Sequence, residues 1–560
     1  MEEINDPLFA LIKKLNFIIK EYDFDYNKIE IIIKNNELYK QLSINDQLSI
    51  LEICMEKITE LKNKKNDKKK EEEIKPSIPD MKNNLKKSNY TFGKKEVDII
   101  YIEDNDGNLV TEGEALSSTI KAVITEKKGI STKDYKRRAA IFNKVKEIPL
   151  PAQRSKEWFE MRNEKITGSD AGCVLSMNKH EAQYNFVLKK VFGSTFEGNY
   201  ACYHGKVFEE VVTMMYEIEN DIKTEEFGLL GHEKINILGA SPDGICSPFC
   251  LDGKTKSPLV GRMLEIKCPT MRKIKYSGNI IDNICPIYYY CQIQQQMECV
   301  DLDECDFIQC NIVRYVSRKE WIEDTHDEYD YKSKKHNLYR GIVIELVPTK
   351  LEEDDYENGR IKDLTIWNKG TFLYPPKIEM SHKELEEWIL ETLDNLDDNV
   401  QMHKIIYWKL LEKNCTLIKR DKDWFKKQLP IYEKIWYYVL YLRLNLNVAN
   451  EWKEWVNTQP RKYNDKILKK LDLLIKCNND KYINNYDSSK DYYKILDINK
   501  DANESEIHSA YFELGKYWLD EDNIKKSKKN KKEIEKVLNN LLEAYSILLN
   551  KIINQTNQII

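Results

Sequence analysis

Two acids and a lysine on neighbouring segments are the residues of this chain whose spacing could do chemistry. Ser241-Pro242-Asp243-Gly244 is followed, after a variable excursion, by Leu264-Glu265-Ile266-Lys267. Side chains alternate along a strand, so Glu265 and Lys267 point one way while Leu264 and Ile266 point the other. The apolar pair is expected to enter a core while the acid and the amine share a wet surface. Asp243 follows the strand-like run Ile235-Asn236-Ile237-Leu238-Gly239-Ala240, and Pro242 and Gly244 favour a bend beside it. If the two segments pair, two carboxylates and one ammonium meet at a sheet edge. Carboxylate oxygens at that density suit a hard divalent cation such as Mg²⁺, and a neighbouring lysine can orient or deprotonate a water. The competing reading is a solvated hairpin of alternating charge.

The elements that would have to position these groups lie on both sides. His204-Gly205-Lys206-Val207-Phe208-Glu209-Glu210 runs into a helix whose buried stripe is Phe208, Val211, Val212 and Met215. Glu209 borders that stripe and can lean toward a sheet edge to complete a cluster with Asp243 and Glu265. Glu210 is turned about 100° further and is expected to be solvated. Upstream, Trp158-Phe159-Glu160-Met161-Arg162 reads as helix, and Ile166-Thr167-Gly168-Ser169-Asp170-Ala171-Gly172 has the residues of a helix start. Free amides there, the Ser169 hydroxyl and the Arg162 guanidinium would make a phosphate pocket. Downstream, Pro286 opens a helix in which Tyr289, Gln292 and Gln296 share a face. Phe307–Val313 then gives a strand–helix–strand crossover and a mixed sheet.

Taken in order, these segments resemble the YqaJ viral recombinase and lambda-exonuclease family of PD-(D/E)xK nucleases. The block from Arg154 to Tyr315 carries the matching parts: Trp158 and Arg162, Gly168-Ser169, Gly205-Lys206 with Glu209, Ser241-Pro242-Asp243-Gly244, Glu265-Ile266-Lys267 and Tyr289-x-x-Gln292-x-Gln294. The resemblance implies an α/β (α+β) restriction-endonuclease-like core flanked by all-α regions. It implies that Glu209, Asp243, Glu265 and the carbonyl of Ile266 hold Mg²⁺ (or Mn²⁺), that Lys267 positions the attacking water, and that Gln292 orders the site. Arg162 and Ser169 match the pocket for a terminal 5′-phosphate, Ser241 lies close to a phosphate, and Gln294 joins the DNA-binding set.

The remaining sequence bounds the rest. The 560 residues carry a net charge of −5, so a nuclease reading needs a local basic groove rather than a basic chain. The acidic start and the lack of a long apolar run point away from export and from a membrane span. The 13 scattered cysteines fit a reducing compartment. The expected organisation is a helical region over 1–61, a charged linker over 62–95, a small α/β segment over 96–145, the nuclease domain over 146–345, and a helical, aromatic-rich region over 346–485. Within 96–145, Val97–Ile102 reads as a strand with Leu109-Val110 as its returning partner, and a helix is expected over 112–126.

A J-like module over 486–552 closes the chain. Asp491–Ile498, the helix around Ala510-Tyr511-Phe512-Glu513-Leu514-Gly515-Lys516-Tyr517 and a lysine-rich stretch before Leu541–Leu548 resemble a DnaJ-type J domain. Trp518-Leu519-Asp520 stands where that family carries His-Pro-Asp, so stimulation of a chaperone is not expected.

The leading expectation is a metal-dependent exonuclease acting on duplex DNA ends, of viral recombination or repair type. By resemblance it works with a single-strand annealing protein, as a homo-oligomer, in the cytoplasm or at a viral replication site. The alternatives are a structure-specific repair endonuclease, or a J-like adaptor with a non-catalytic nuclease scaffold.

Overall fold

Alternation in Met263–Lys267 sets up the centre of the molecule. Met263, Glu265 and Lys267 face one layer of helices, Leu264 and Ile266 the other, because this strand lies inside a seven-stranded mixed sheet covered on both faces. The strands are β1 (Thr224–Glu225), β2 (Gly244–Cys246), β3 (Met263–Lys267), β4 (Glu304–Arg314), β5 (Arg340–Pro348), β6 (Thr371–Leu373) and β7 (Val400–Lys419). Their spatial order is β6-β5-β7-β4-β3-β2-β1. Only β3 and β4 are parallel, with Glu265 opposite Phe307 and Lys267 opposite Gln309; the other pairings are antiparallel.

The computed structural model describes residues 130–559 apart from 152–154, 195–196 and 461, and before them the backbone of three strands. These three, Lys86–Phe92, Lys95–Glu103 and Leu109–Thr111, form an antiparallel sheet of their own, with Ile102 opposite Val110. The strand and its returning partner therefore form as expected, and Lys86–Phe92, expected as the end of a solvated linker, is a third strand. The helices expected over 1–61 and 112–126 lie outside the described residues. All described residues belong to one unit, Leu85–Ile560.

Eight helices matter for the site: α1 (Lys156–Asn163), α2 (Gln183–Phe192), α3 (Tyr200–Asn220), α4 (Ile287–Val300), α5 (Lys422–Leu444), α6 (Asn464–Ile483), α7 (Glu504–Leu519) and α8 (Lys531–Ile559). α3 buries Val207, Phe208, Val211, Val212 and Met215 against Leu264, Ile266, Ile308 and Trp408. α4, which begins after Pro286, makes the β3–β4 crossover and buries Tyr290, Ile293, Met297 and Val300 against Met263, Cys305 and Phe307. Gly172 lets α4 come this close to the pocket turn: a Cβ there would sit 2.6 Å from Cβ of Tyr288.

One expectation fails here. Residues 346–419 are not mostly helical: β7 is a 20-residue strand at the heart of the sheet, pairing with β4 and β5. Ile406, Trp408 and Leu410 are buried at every second position, the strand period rather than the helical one. The helical reading holds from Lys422 onward. There α5, the helix Leu446–Thr458, α6, α7 and α8 bury Tyr441, Trp452, Leu471, Tyr511 and Tyr545 in one core with Val174 and Phe186. Tyr511 and Tyr545 stack with centroids 4.3 Å apart. Among the described residues no helix is long and apolar enough to cross a membrane.

Candidate active site

Two short parallel strands deliver the site. Ile166-Thr167 lies beside Leu238–Ala240, with Ile166 opposite Leu238 and Thr167 opposite Gly239. Because the strands run the same way, Gly168-Ser169 and Ser241-Pro242-Asp243 leave them side by side. Gln295 of α4 pins both, donating to the carbonyls of Ile166 (2.8 Å) and Gly239 (2.9 Å).

At the second exit Asp243 Oδ2 accepts from the amide of Ile266 at 2.6 Å, which fastens the first acid to the Glu-x-Lys strand. Glu265 and Lys267 do share a face, and their side chains form an ion pair. The face is not wet, however. α4 roofs it, leaving Glu265 0 % exposed, with Gln296 Nε2 donating to Glu265 Oε2 at 2.7 Å and the Lys267 ammonium 5.1 Å from the Tyr289 ring. Asp243 keeps part of its surface open, yet burial is the largest influence on its carboxyl. Burial and the charges of Glu265 and Glu209 push it well above the usual carboxylate range. Burial alone would lower the Lys267 ammonium, but Glu265 and Asp243 overcome it and raise it, so this lysine keeps its proton in this arrangement.

Glu209 is half-buried at the border of the α3 stripe, and its charge reaches both Asp243 and Cys268. Glu210 is not simply solvated: it is half-buried, and burial followed by the charges of Glu226 and Glu217 pushes its carboxyl up to about 7. Among the described residues no group of three or more acids, histidines or cysteines is drawn together as a metal-holding set. Glu265 is turned onto Lys267 and Gln296, and Asp243 onto the Ile266 amide. What the acids share is an excess of negative charge around one ammonium, with hard oxygen donors that fit a divalent cation.

At the first exit Arg162 Nη2 lies 3.3 Å from both the Ser169 and Thr167 hydroxyls, and its guanidinium stacks on Trp158 at 4.5 Å. Ser169 is exposed, and Gly168 opens a short 3₁₀ turn. Beneath it Asp170 accepts from the Thr167 hydroxyl (2.8 Å) and pairs with Lys189 (2.9 Å) and Lys190 (3.5 Å). Burial would raise this carboxyl, but the two ammoniums hold it well below its ordinary value. Lys190 also donates to the carbonyls of Arg162 and Lys165, and burial pushes it down to about 8.

The other expected residues divide. Gln292 is half-buried against the pocket turn: a Cβ on Gly168 would meet its Cγ at 3.5 Å. The Ser241 hydroxyl donates to the Gly228 carbonyl at 3.1 Å. Gln294 is not on a DNA-facing surface. It is fully buried on another side of α4, donating to the Lys419 carbonyl (2.9 Å) and accepting from the Asp421 amide (2.7 Å), so it ties α4 to the end of β7. Gln296 is the residue that sequence reasoning placed on the right face but gave no role. It touches Glu265 and the Ser241 carbonyl (3.4 Å), and a Cβ on Gly168 would meet its Cγ at 3.4 Å. Arg443 of α5 was not foreseen at all. It pairs with Glu164 (3.0 Å) and donates to the carbonyls of Asn163 (2.8 Å) and Lys190 (2.9 Å), bracing the end of α1.

Residues 157–303 match the YqaJ-like viral recombinase domain. An uncharacterised protein of Acanthamoeba polyphaga mimivirus is 36 % identical over 315 residues, which is 55 % of this chain and 56 % of that one. The chain thus spans little more than half the length of this viral relative. A DnaJ homolog subfamily C member 7 homolog of Dictyostelium discoideum is 41 % identical over 59 residues, 10 % of this chain and 11 % of its own. Among solved structures, an alkaline exonuclease from Laribacter hongkongensis aligns over 53 % of this chain and 98 % of its own at 17 % identity and a TM-score of 0.28. The chain carries a YqaJ-like viral recombinase domain over residues 157–303, the block that holds both strand exits and α4.

Proposed function

We propose that this protein is an exonuclease that digests linear duplex DNA from a 5′-phosphorylated end with Mg²⁺ or Mn²⁺. The observation that carries the reading is the side-by-side exit of Gly168-Ser169 and Asp243 from two parallel strands, one beside an arginine and the other among acids. Glu209, Asp243, Glu265 and the Ile266 carbonyl would hold the cation, which when bound neutralises phosphoryl oxygens and acidifies a water. Lys267 donates a hydrogen bond that aims that water at the phosphorus. Gln296 keeps the Glu265 carboxylate in one orientation, and the hydrophobic roof of α4 keeps bulk solvent from competing for it. Arg162 and Ser169 hold the terminal phosphate, so the chain end rather than the sequence selects the bond that is cut.

The test is digestion of linear duplex with and without a 5′-phosphate, beside a covalently closed circle of the same sequence. Phosphorylated ends should be cut fastest and the circle not at all. Asp243→Ala should abolish cutting, and Arg162→Ala should slow only the phosphorylated substrate. Cutting of the circle at the linear rate would replace this reading with an endonuclease.

A further inference from the structure

The C-terminal module reaches the pocket by one end of one helix. Lys516, near the end of α7, extends its ammonium to Glu164 Oε2 at 2.6 Å, and Glu164 caps the C-terminus of α1, the helix that carries Arg162. Gly515 allows the close approach: a Cβ there would lie 2.5 Å from a Leu444 methyl of α5. The segment after Lys516 is therefore anchored beside the pocket.

That segment carries a dense run of positive charge. Residues 525–536 hold seven lysines against Glu533 and Glu535, in a protein whose net charge is −5. The seven lysines are exposed, and only Lys525 forms an ion pair among the described residues, with Glu521 and Asp522. The segment is structured rather than a tail. A short helix, Glu521–Ser527, ends at Lys528 in a left-handed conformation (φ 55°), and α8 begins at Lys531. Lys529 folds back so that its ammonium lies 5.9 Å from the Trp518 ring, with Tyr517 exposed next to it. Like charges held this densely repel one another, and a polyanion relieves that repulsion by releasing its own counterions. Ammoniums set beside an exposed ring, here Tyr517, suit a nucleic-acid backbone.

We propose that the lysine-rich turn 525–532 grips the phosphate backbone of duplex DNA beyond the end held at Arg162 and Ser169. The inference rests on the nuclease reading and assigns the J-like module a part in it. The module whose Trp518-Leu519-Asp520 departs from His-Pro-Asp thereby acts as a DNA arm.

The experiment uses the full chain with Asp243→Asn, so that DNA is not consumed. It compares this chain with one also carrying K526Q, K528Q, K529Q, K531Q and K532Q. Binding of a 5′-phosphorylated blunt duplex is followed by fluorescence anisotropy across a salt series. The five-fold variant should bind at least tenfold more weakly at low salt. Its slope of log affinity against log salt should be shallower by about 0.9 for each phosphate no longer neutralised. Melting temperature should not change, and in the background with Asp243 intact the rate at saturating DNA and the preference for phosphorylated ends should persist. Equal affinity and slope overturn the proposal while leaving the nuclease reading in place. The proposal is also overturned if the substitutions abolish binding to phosphatidylserine vesicles and leave DNA binding intact. Failure of the unsubstituted chain both to bind and to cut DNA overturns the two together.

Discussion

Gln296→Leu removes one hydrogen-bond donor from the most buried acid of the site while nearly conserving volume. Gln296 is itself fully buried, and its amide nitrogen donates to Glu265 Oε2 at 2.7 Å. A hydrogen bond to a charged group contributes about 1.5–3 kcal/mol, and a fully buried carboxylate cannot turn to bulk solvent for a replacement donor. If that energy holds Glu265 in its working orientation, its removal should appear as a drop of about 10- to 150-fold in affinity for Mg²⁺ or in kcat, at about 1.4 kcal/mol per decade. Two assays separate the outcomes. Titration of Mg²⁺ or Mn²⁺ followed by thermal shift reads the cation without turnover. Release of acid-soluble nucleotide from phosphorylated duplex reads kcat and KM. The expected pattern is a weakened cation response and a lowered kcat with KM for DNA unchanged. Gln296→Glu should be worse near neutral pH, because a second acid at hydrogen-bond distance from Glu265 would force the pair to share a proton. A Gln296→Leu protein with cation affinity and kcat within twofold of the parent would refute the assignment of Gln296 as a positioning residue.

Three further outcomes are expected. His204 is 4 % exposed, neither ring nitrogen has a hydrogen-bond partner, and burial, reinforced by Arg314, pushes it down to about 4. Its neutral form is the one the fold accepts, so stability is full above the unfolded value near 6.5 and is lost as pH falls toward 4. His204→Phe should therefore flatten the fall in melting temperature between about pH 6.5 and about pH 4, and an unchanged profile would contradict this. Gly172→Ala should destabilise by about 1–3 kcal/mol in urea unfolding, because its Cβ meets the Tyr288 backbone at 2.8 Å and α4 must shift. Arg443→Gln should raise KM for phosphorylated ends more than it lowers kcat, since Arg443 touches the end of α1 and not the acids; equal effects on both constants would contradict a role through the pocket.

Much of the centre was legible because it obeys local rules. Alternation at Leu264-Glu265-Ile266-Lys267 gave the correct facing, and Phe208, Val211, Val212 and Met215 gave the buried stripe of α3. What alternation cannot report is what covers a face, which is why Glu265 was expected to be wet. Helical spacing put Gln296 one turn after Gln292 on the same side. It also puts Gln294 about 200° round the helix from Gln292, which was the available sign that it faces elsewhere. The β7 segment was misread because Tyr407-Trp408-Lys409-Leu410 has no breaker and its partners lie far away in the chain. The period of two at Ile406, Trp408 and Leu410 is masked in the sequence by the aromatic clusters around it. Arg443 is about 280 residues from the Glu164 and Asn163 groups it binds, a separation across which no local pattern speaks.

The lateness of β7 has a consequence for how the polypeptide is made. β4 ends at Arg314, but the strand that pairs with its outer edge does not begin until Val400. On a ribosome working at about 5–20 residues per second, that edge waits roughly 5 to 20 s for its partner. Throughout that interval Phe307, Ile308, Cys310 and Ile312 sit on a nascent strand with open amides and carbonyls, the arrangement on which aggregates nucleate. Yield during synthesis should depend on how quickly the intervening segment is translated, and slow codons between Arg314 and Val400 should lower the soluble fraction without altering a single residue of the finished protein.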